Sequence, residues 1–139
     1  MHALVKEEPI ARIGISLVDG DAAVRRERQL MLRSESFDVR SYATGAALIA
    51  DPLARATACL VVDVDMPGLG GIELVQSLRI QGWRGTAILL RSIDVTDSIA
   101  RDAERDGDTL LLKTVADRPL LEAIRAALAP RLSRREACQ

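Results

Sequence analysis

Apolar residues fall into two patterns along the chain. Short runs in which nearly every position is apolar occupy 13–18, 58–63, 87–90 and 109–112, each bounded by turn residues. Runs of this kind read as strands buried on both faces, as in parallel sheets. A fifth segment, 37–42, alternates apolar and polar positions as a strand does. Between these runs the apolar residues return every three or four positions, which is the helical period. Helices are expected over 22–34 with Val24, Met31 and Leu32 inward, and from Thr44 through 49. The others are expected over 71–80 with Ile72, Leu74, Val75 and Leu78, over 96–105 with Ile99, Ala100 and Ala103, and over 117–128 with Leu120, Leu121, Ile124 and Leu128. Asp21 and Thr44 stand where side chains cap exposed helix amides, and Gly82 and Gly107 where helices stop. Five strands alternating with five helices require parallel pairing, because each crossover helix returns the chain in the same direction. The pattern is that of an α/β, doubly wound fold.

Composition narrows the class. At 139 residues the chain fits one domain able to bury a core without disulfides or metal staples. The expected organisation is a flexible N-terminus at 1–11, a domain at 12–129 and a solvated tail at 130–139 containing Arg131, Arg134 and Arg135. A formal net charge of -1 gives no bulk attraction to nucleic acid or anionic membrane. Cys59 and Cys138 form neither a disulfide framework nor a zinc spacing. Lys6, Glu7, Glu8 and Pro9 interrupt the place where a signal peptide needs an apolar core, and no run is long enough for a membrane helix. A cytoplasmic protein is expected. His2 is the lone histidine, so no histidine-based metal or nucleophile site arises.

In a doubly wound sheet, chemistry gathers outside the carboxyl ends of the strands. The residues just past the first, third and fifth strands are Asp19, Asp63 and Lys113. Two carboxylates about 5 Å apart repel by roughly 3 kcal/mol at an effective dielectric near 20, which invites a divalent cation or a raised pKa. Magnesium would settle that repulsion with carboxylates, a backbone carbonyl and waters. A lysine opposite supplies a point charge for a phosphoryl oxygen, and a strand-end carboxylate can act as nucleophile toward phosphorus.

From 13 to 128 the sequence resembles the receiver domain of two-component response regulators. The resemblance is carried by Leu17-Val18-Asp19, by Asp63-Val64-Asp65-Met66-Pro67-Gly68-Leu69-Gly70-Gly71, and by Leu112-Lys113. It implies a flavodoxin-like (βα)5 sandwich with strand order 2-1-3-4-5. It also implies that Asp63 accepts a phosphoryl group from a histidine kinase or phosphotransfer protein. Asp19, Asp63 and the backbone carbonyl of Asp65 would then bind Mg2+, Lys113 would pair with the phosphoryl group, and the face built from the fourth helix, fifth strand and fifth helix would bind a partner or a second copy.

Four departures mark the site as atypical. The second of the family's adjacent acids is Gly20, which predicts weak magnesium binding, with Asp21 acting as a helix cap. The hydroxyl residue after the fourth strand falls on Arg91 when counted back from Lys113 and on Ser92 when counted back from Gly107, and Ser92 is preferred because a hydroxyl can follow the phosphoryl group. The switching aromatic is replaced at Leu110 or beside it by an aliphatic residue. Thr114 stands where receivers carry proline after the lysine.

Two other readings follow from the same residues. A pseudo-receiver would bind partners without phosphorylation. Asp63-Val64-Asp65 also looks like the nucleophile motif of haloacid-dehalogenase-type phosphatases, but two strands precede it here and no later strand ends in paired acids. A signalling module rather than an enzyme is expected. Leu132-Ser133-Arg134-Arg135-Glu136 resembles the opening of a LuxR-type helix-turn-helix, too short a stretch to contact DNA directly. Trp83 is expected to anchor a turn, and Cys59 to fill core space.

Overall fold

The structure is a computed structural model describing residues 12–92 and 97–137, with backbone alone at 97, 99 and 130–137. The expected flexible segment 1–11, His2, Cys138, residue 96 and the side chains of Ile99, Arg131, Arg134 and Arg135 lie outside the described residues. The strands are β1 (Gly14–Val18), β2 (Asp38–Tyr42), β3 (Cys59–Asp63), β4 (Thr86–Arg91) and β5 (Thr109–Leu112). They form one sheet in the order β2-β1-β3-β4-β5, with every adjacent pair parallel. The helices are α1 (Ala22–Ser34), α2 (Gly45–Ala50), α3 (Gly71–Ile80), α4 (Asp97–Arg105) and α5 (Asp117–Ala137).

The alternation of side chains along each strand divides the core in two. Ile15, Leu17, Cys59, Val61, Ile88 and Leu90 face α1 and α5, where Leu32, Leu120 and Ile124 meet them. Val18, Leu60, Val62 and Leu89 face the other way, against Leu48 of α2, Leu74 and Leu78 of α3 and Ala103 of α4. All five residues of β3 are buried, as expected of a central strand covered on both faces. The strand that carries Asp63 is thus the best-packed element of the sheet, which fixes the carboxylate in place.

Local details follow from the sequence. The Asp21 carboxylate accepts from the amides of Ala23 and Val24, and the Thr44 hydroxyl from that of Ala47, so both caps form. Trp83 is buried, and its indole Nε1 donates to the Thr57 carbonyl at 2.8 Å, so it does anchor its turn. Two elements differ from expectation. A 3-10 turn at Pro52–Ala56 precedes β3, started by the Asp51 carboxylate accepting from the amide of Leu53. Helix α5 runs to Ala137 rather than ending at 128. Leu128 is the last inward apolar residue among the described side chains, and a nucleated helix gains a backbone bond with each added residue without needing core contact.

Candidate functional site

One strand end and the residues just past two other strands bring the site together. Asp63 ends β3 and is buried, at 4% exposure, while Asp19 follows β1 at 3% exposure. Lys113, one residue past β5, places its Nζ 2.5 Å from Asp63 Oδ2. That ion pair raises the lysine pKa, chiefly through the hydrogen bond to Asp63, with Asp19 and Asp65 adding to it. The other Asp63 oxygen, Oδ1, accepts from the amide of Asp65 at 2.8 Å. Asp63 is therefore held at both oxygens by groups suited to a negative charge.

The loop after β3 explains the glycines of the motif. The amide of Val64 donates to the Leu90 carbonyl at 2.7 Å, which carries the β3–β4 ladder one step past the acid. Gly68 has φ +79°, a left-handed conformation that glycine adopts without cost. A Cβ at Gly71 would lie 2.7 Å from the Asp63 carbonyl, so only glycine lets α3 start this close to the acid. Met66 is buried in the core beside α3 and pins the loop from below.

Asp19 is engaged on every side. Its Oδ1 accepts from the Asp21 amide at 2.9 Å, its Oδ2 from Arg28 Nη1 at 3.2 Å, and its carbonyl from Arg25 Nη1 at 2.7 Å. Arg28 is itself buried, and its Nη2 donates to the Lys113 carbonyl at 2.8 Å. Nothing in the apolar periodicity of α1 singled out this arginine. Its one sequence signal is a charge on the helical stripe otherwise holding Val24, Met31 and Leu32, and its partners lie nine and 85 residues away.

The two candidates for the hydroxyl position separate clearly. Arg91 is the last residue of β4, pairs with Leu112, and accepts from the Lys113 amide at its carbonyl; its Nε is buried without a hydrogen-bond partner. Ser92 lies just beyond the strand, and both its amide and its hydroxyl donate to Asp65 Oδ2, at 3.0 and 2.8 Å. Those two bonds hold the Asp65 carboxyl below its usual range. The Ser92 hydroxyl therefore rests on the outer acid of the loop. Leu110 packs against the α2–α4 side of the core, and no peptide bond among the described residues is cis, including the one before Thr114.

Among the described residues no group of three His, Cys, Asp or Glu side chains is placed to share a metal ion. No described helix is long and apolar enough to cross a membrane.

Known proteins fit this geometry. The response regulator receiver domain family matches residues 15–125. The transcriptional regulatory protein TdiR of Thauera aromatica is 29% identical over 115 residues, covering 83% of this chain and 51% of that protein. The transcriptional regulatory protein FixJ of Azorhizobium caulinodans is 26% identical over 114 residues, covering 82% and 54%. The chain spans about half the length of these relatives. Among solved structures, the response regulator StyR aligns with a TM-score of 0.76 at 27% identity, covering 91% of this chain and 64% of that one. The Vibrio cholerae chemotaxis protein CheY4, at 23% identity and a TM-score of 0.74 over 85% of this chain and all of that one, shares the fold. A parallel sheet in the order 2-1-3-4-5, with Asp63 against Lys113 at its carboxyl edge and a family match over 15–125, identifies the chain as a member of the response regulator receiver domain family.

Proposed function

We propose that this receiver domain takes a phosphoryl group onto Asp63 from a histidine kinase or phosphotransfer protein and signals through the face formed by α4, β5 and α5. The observation that carries the reading is the Asp63–Lys113 pair: a buried carboxylate at a strand end whose Oδ2 meets an ammonium at 2.5 Å. In the transfer, an Asp63 oxygen attacks phosphorus, the bond from phosphorus to the donor nitrogen breaks, and the donor leaves with its electron pair. Lys113 Nζ then exchanges its bond to the carboxylate for one to a phosphoryl oxygen. Leu112, exposed at the end of β5, offers apolar surface on the proposed output face for a partner or a second copy.

Receiver domains as a family bind Mg2+ at the phosphorylation site. In this chain Asp19, Asp63 and the carbonyl of Asp65 are the proposed ligands, with weak affinity. Their present arrangement does not fit a tightly held ion. Gly20 removes one acid, and all four side-chain oxygens of Asp19 and Asp63 already have partners. Ser92 is the hydroxyl proposed to follow the phosphoryl group, and to do so it must leave Asp65.

The Ser92–Asp65 contact favours a second reading, a module that binds partners without phosphorylation. Incubation with acetyl phosphate and magnesium followed by intact-mass measurement tests the choice. One added phosphoryl group, absent in Asp63→Asn, supports the receiver. No adduct, with partner affinity unchanged in Asp63→Asn, supports the binding module. Rapid phosphate release from many esters would mark a phosphatase instead.

A further inference from the structure

The charges around the acidic pocket already balance. Asp19 and Asp63 are both buried, and each carries a cationic partner on its Oδ2: Arg28 for Asp19 and Lys113 for Asp63. Lys113 is a residue the family resemblance leads one to expect. Arg28 belongs to no motif, yet it is the more deeply buried of the two cations.

A guanidinium is seldom buried without a partner for its charge. The Arg28 side chain is 7% exposed and divides its donors between two loops. Nη1 meets Asp19 after β1, and Nη2 meets the Lys113 carbonyl after β5. Both acceptors lie at the carboxyl edge of the sheet, where the phosphoacceptor sits. The remaining Asp19 oxygen is taken by the Asp21 amide, and the Asp19 carbonyl by Arg25. An ion approaching Asp19 would thus meet a carboxylate with a fixed positive charge against it.

We infer that Arg28 is the resident cation of the acidic pocket, bridging the Asp19 carboxylate and the Lys113 carbonyl, so that a divalent ion binds only by displacing it. The inference rests on the receiver reading for the location of the pocket. It goes further in assigning the weakened metal site to a residue of α1 as well as to the missing acid at Gly20. Arg28 acts as a positioning residue, since it touches Asp19 and not Asp63. A consequence follows for signalling. Displacing Arg28 from Asp19 alters the other half of its fork, at the Lys113 carbonyl, which links the pocket to the turn leading into α5 without the usual aromatic.

The test is a titration of the 139-residue protein with Mg2+, followed by calorimetry and by amide chemical shifts at Asp19, Asp63 and Asp65. Arg28→Met keeps the length and apolar stem but removes the charge, and is expected to tighten Mg2+ binding by about tenfold or more, since an unbalanced carboxylate attracts the ion more strongly. Adding Asp19→Asn to Arg28→Met should abolish that gain. A folded Arg28→Met protein with unchanged or weaker affinity overturns the inference. Should Arg28→Met fail to fold, the unaltered protein still decides the matter. Titration with Mg2+ should shift the Arg28 guanidinium resonances in step with that of Asp19, and binding that leaves them unmoved overturns the inference. Acetyl phosphate labelling of Asp63 is scored separately. A protein that takes no phosphoryl group yet gains metal affinity in Arg28→Met refutes the phosphoacceptor reading of Asp63 and retains this one.

Discussion

Asp108→Ala should be strongly destabilising for a change outside the apolar core, and it should leave the chemistry proposed at Asp63 untouched. Asp108 precedes β5 and is buried, with its carboxylate receiving both Arg79 Nη groups at 2.7 and 2.6 Å and the amide of Ala87 at 2.9 Å. The β4–β5 ladder begins at Ile88 and Thr109, so the Asp108 side chain adds a rung that backbone alone does not make. Removing it leaves the Ala87 amide buried without a partner, a loss of about 1–3 kcal/mol. Arg79 also loses its counter-ion, but its side chain is 29% exposed and recovers part of that interaction from water, leaving about 1 kcal/mol or slightly more. The sum is about 3 kcal/mol, or roughly 10 °C in Tm for a domain of this size. Urea unfolding followed by circular dichroism gives the value. Trp83 fluorescence is a poorer probe because Arg79 stacks over its ring at 5.4 Å. In a double-mutant cycle, Asp108→Ala with Arg79→Met should cost less than the two changes added, by about 1 kcal/mol, because no unpaired guanidinium remains. A loss below about 1 kcal/mol for Asp108→Ala, or strict additivity, would refute the reasoning. Phosphorylation of Asp63 by acetyl phosphate should continue in the variant while it remains folded, since Asp108 lies at the opposite end of the sheet.

Three further outcomes are expected. The Lys113 pKa is raised in the fold, so the pair with Asp63 contributes fully below the ordinary lysine pKa and is lost as pH rises through the higher folded value; stability measured from pH 9 to 12 should fall more steeply in the native sequence than in Lys113→Met. Tyr42, the single tyrosine, donates to Asp51 at 2.6 Å and is raised by burial and by that bond, so its absorbance titration should have a midpoint well above 10, and Asp51→Asn should lower it. Burial pushes the Cys59 thiol up to about 12, so with Cys138 changed to Ser the folded protein should resist a thiol reagent at pH 8 and react on unfolding; prompt reaction would mean the β3 core opens readily.

By itself the sequence determined the five strands and five helices, their parallel pairing and the three strand-end positions proposed to carry the chemistry. These properties are local. A strand buried on both faces needs an unbroken apolar run such as Leu60-Val61-Val62, a helix needs its period, and Asp19, Asp63 and Lys113 lie at strand ends whatever their partners prove to be. Gly68 and Gly71 were visible only as letters of the motif; the left-handed φ of +79° at the first and the 2.7 Å approach of a Cβ to the Asp63 carbonyl at the second came from the fold. The tertiary structure decided which charges meet. Arg28 belongs to no motif, and only β1 and β5 bring Asp19 and the Lys113 carbonyl within its reach. Counting back from Lys113 or from Gly107 gave Arg91 or Ser92, with Ser92 preferred for its hydroxyl, and packing set that hydroxyl on Asp65. Asp108 likewise carries no signal in the sequence, and its bond to the Ala87 amide exists only because the sheet brings the two together. Apolar burial is written in periodicity because it depends on which face a residue occupies. A hydrogen bond or ion pair depends on distances of a few tenths of an ångström between segments far apart in the chain, and only the folded sheet sets those.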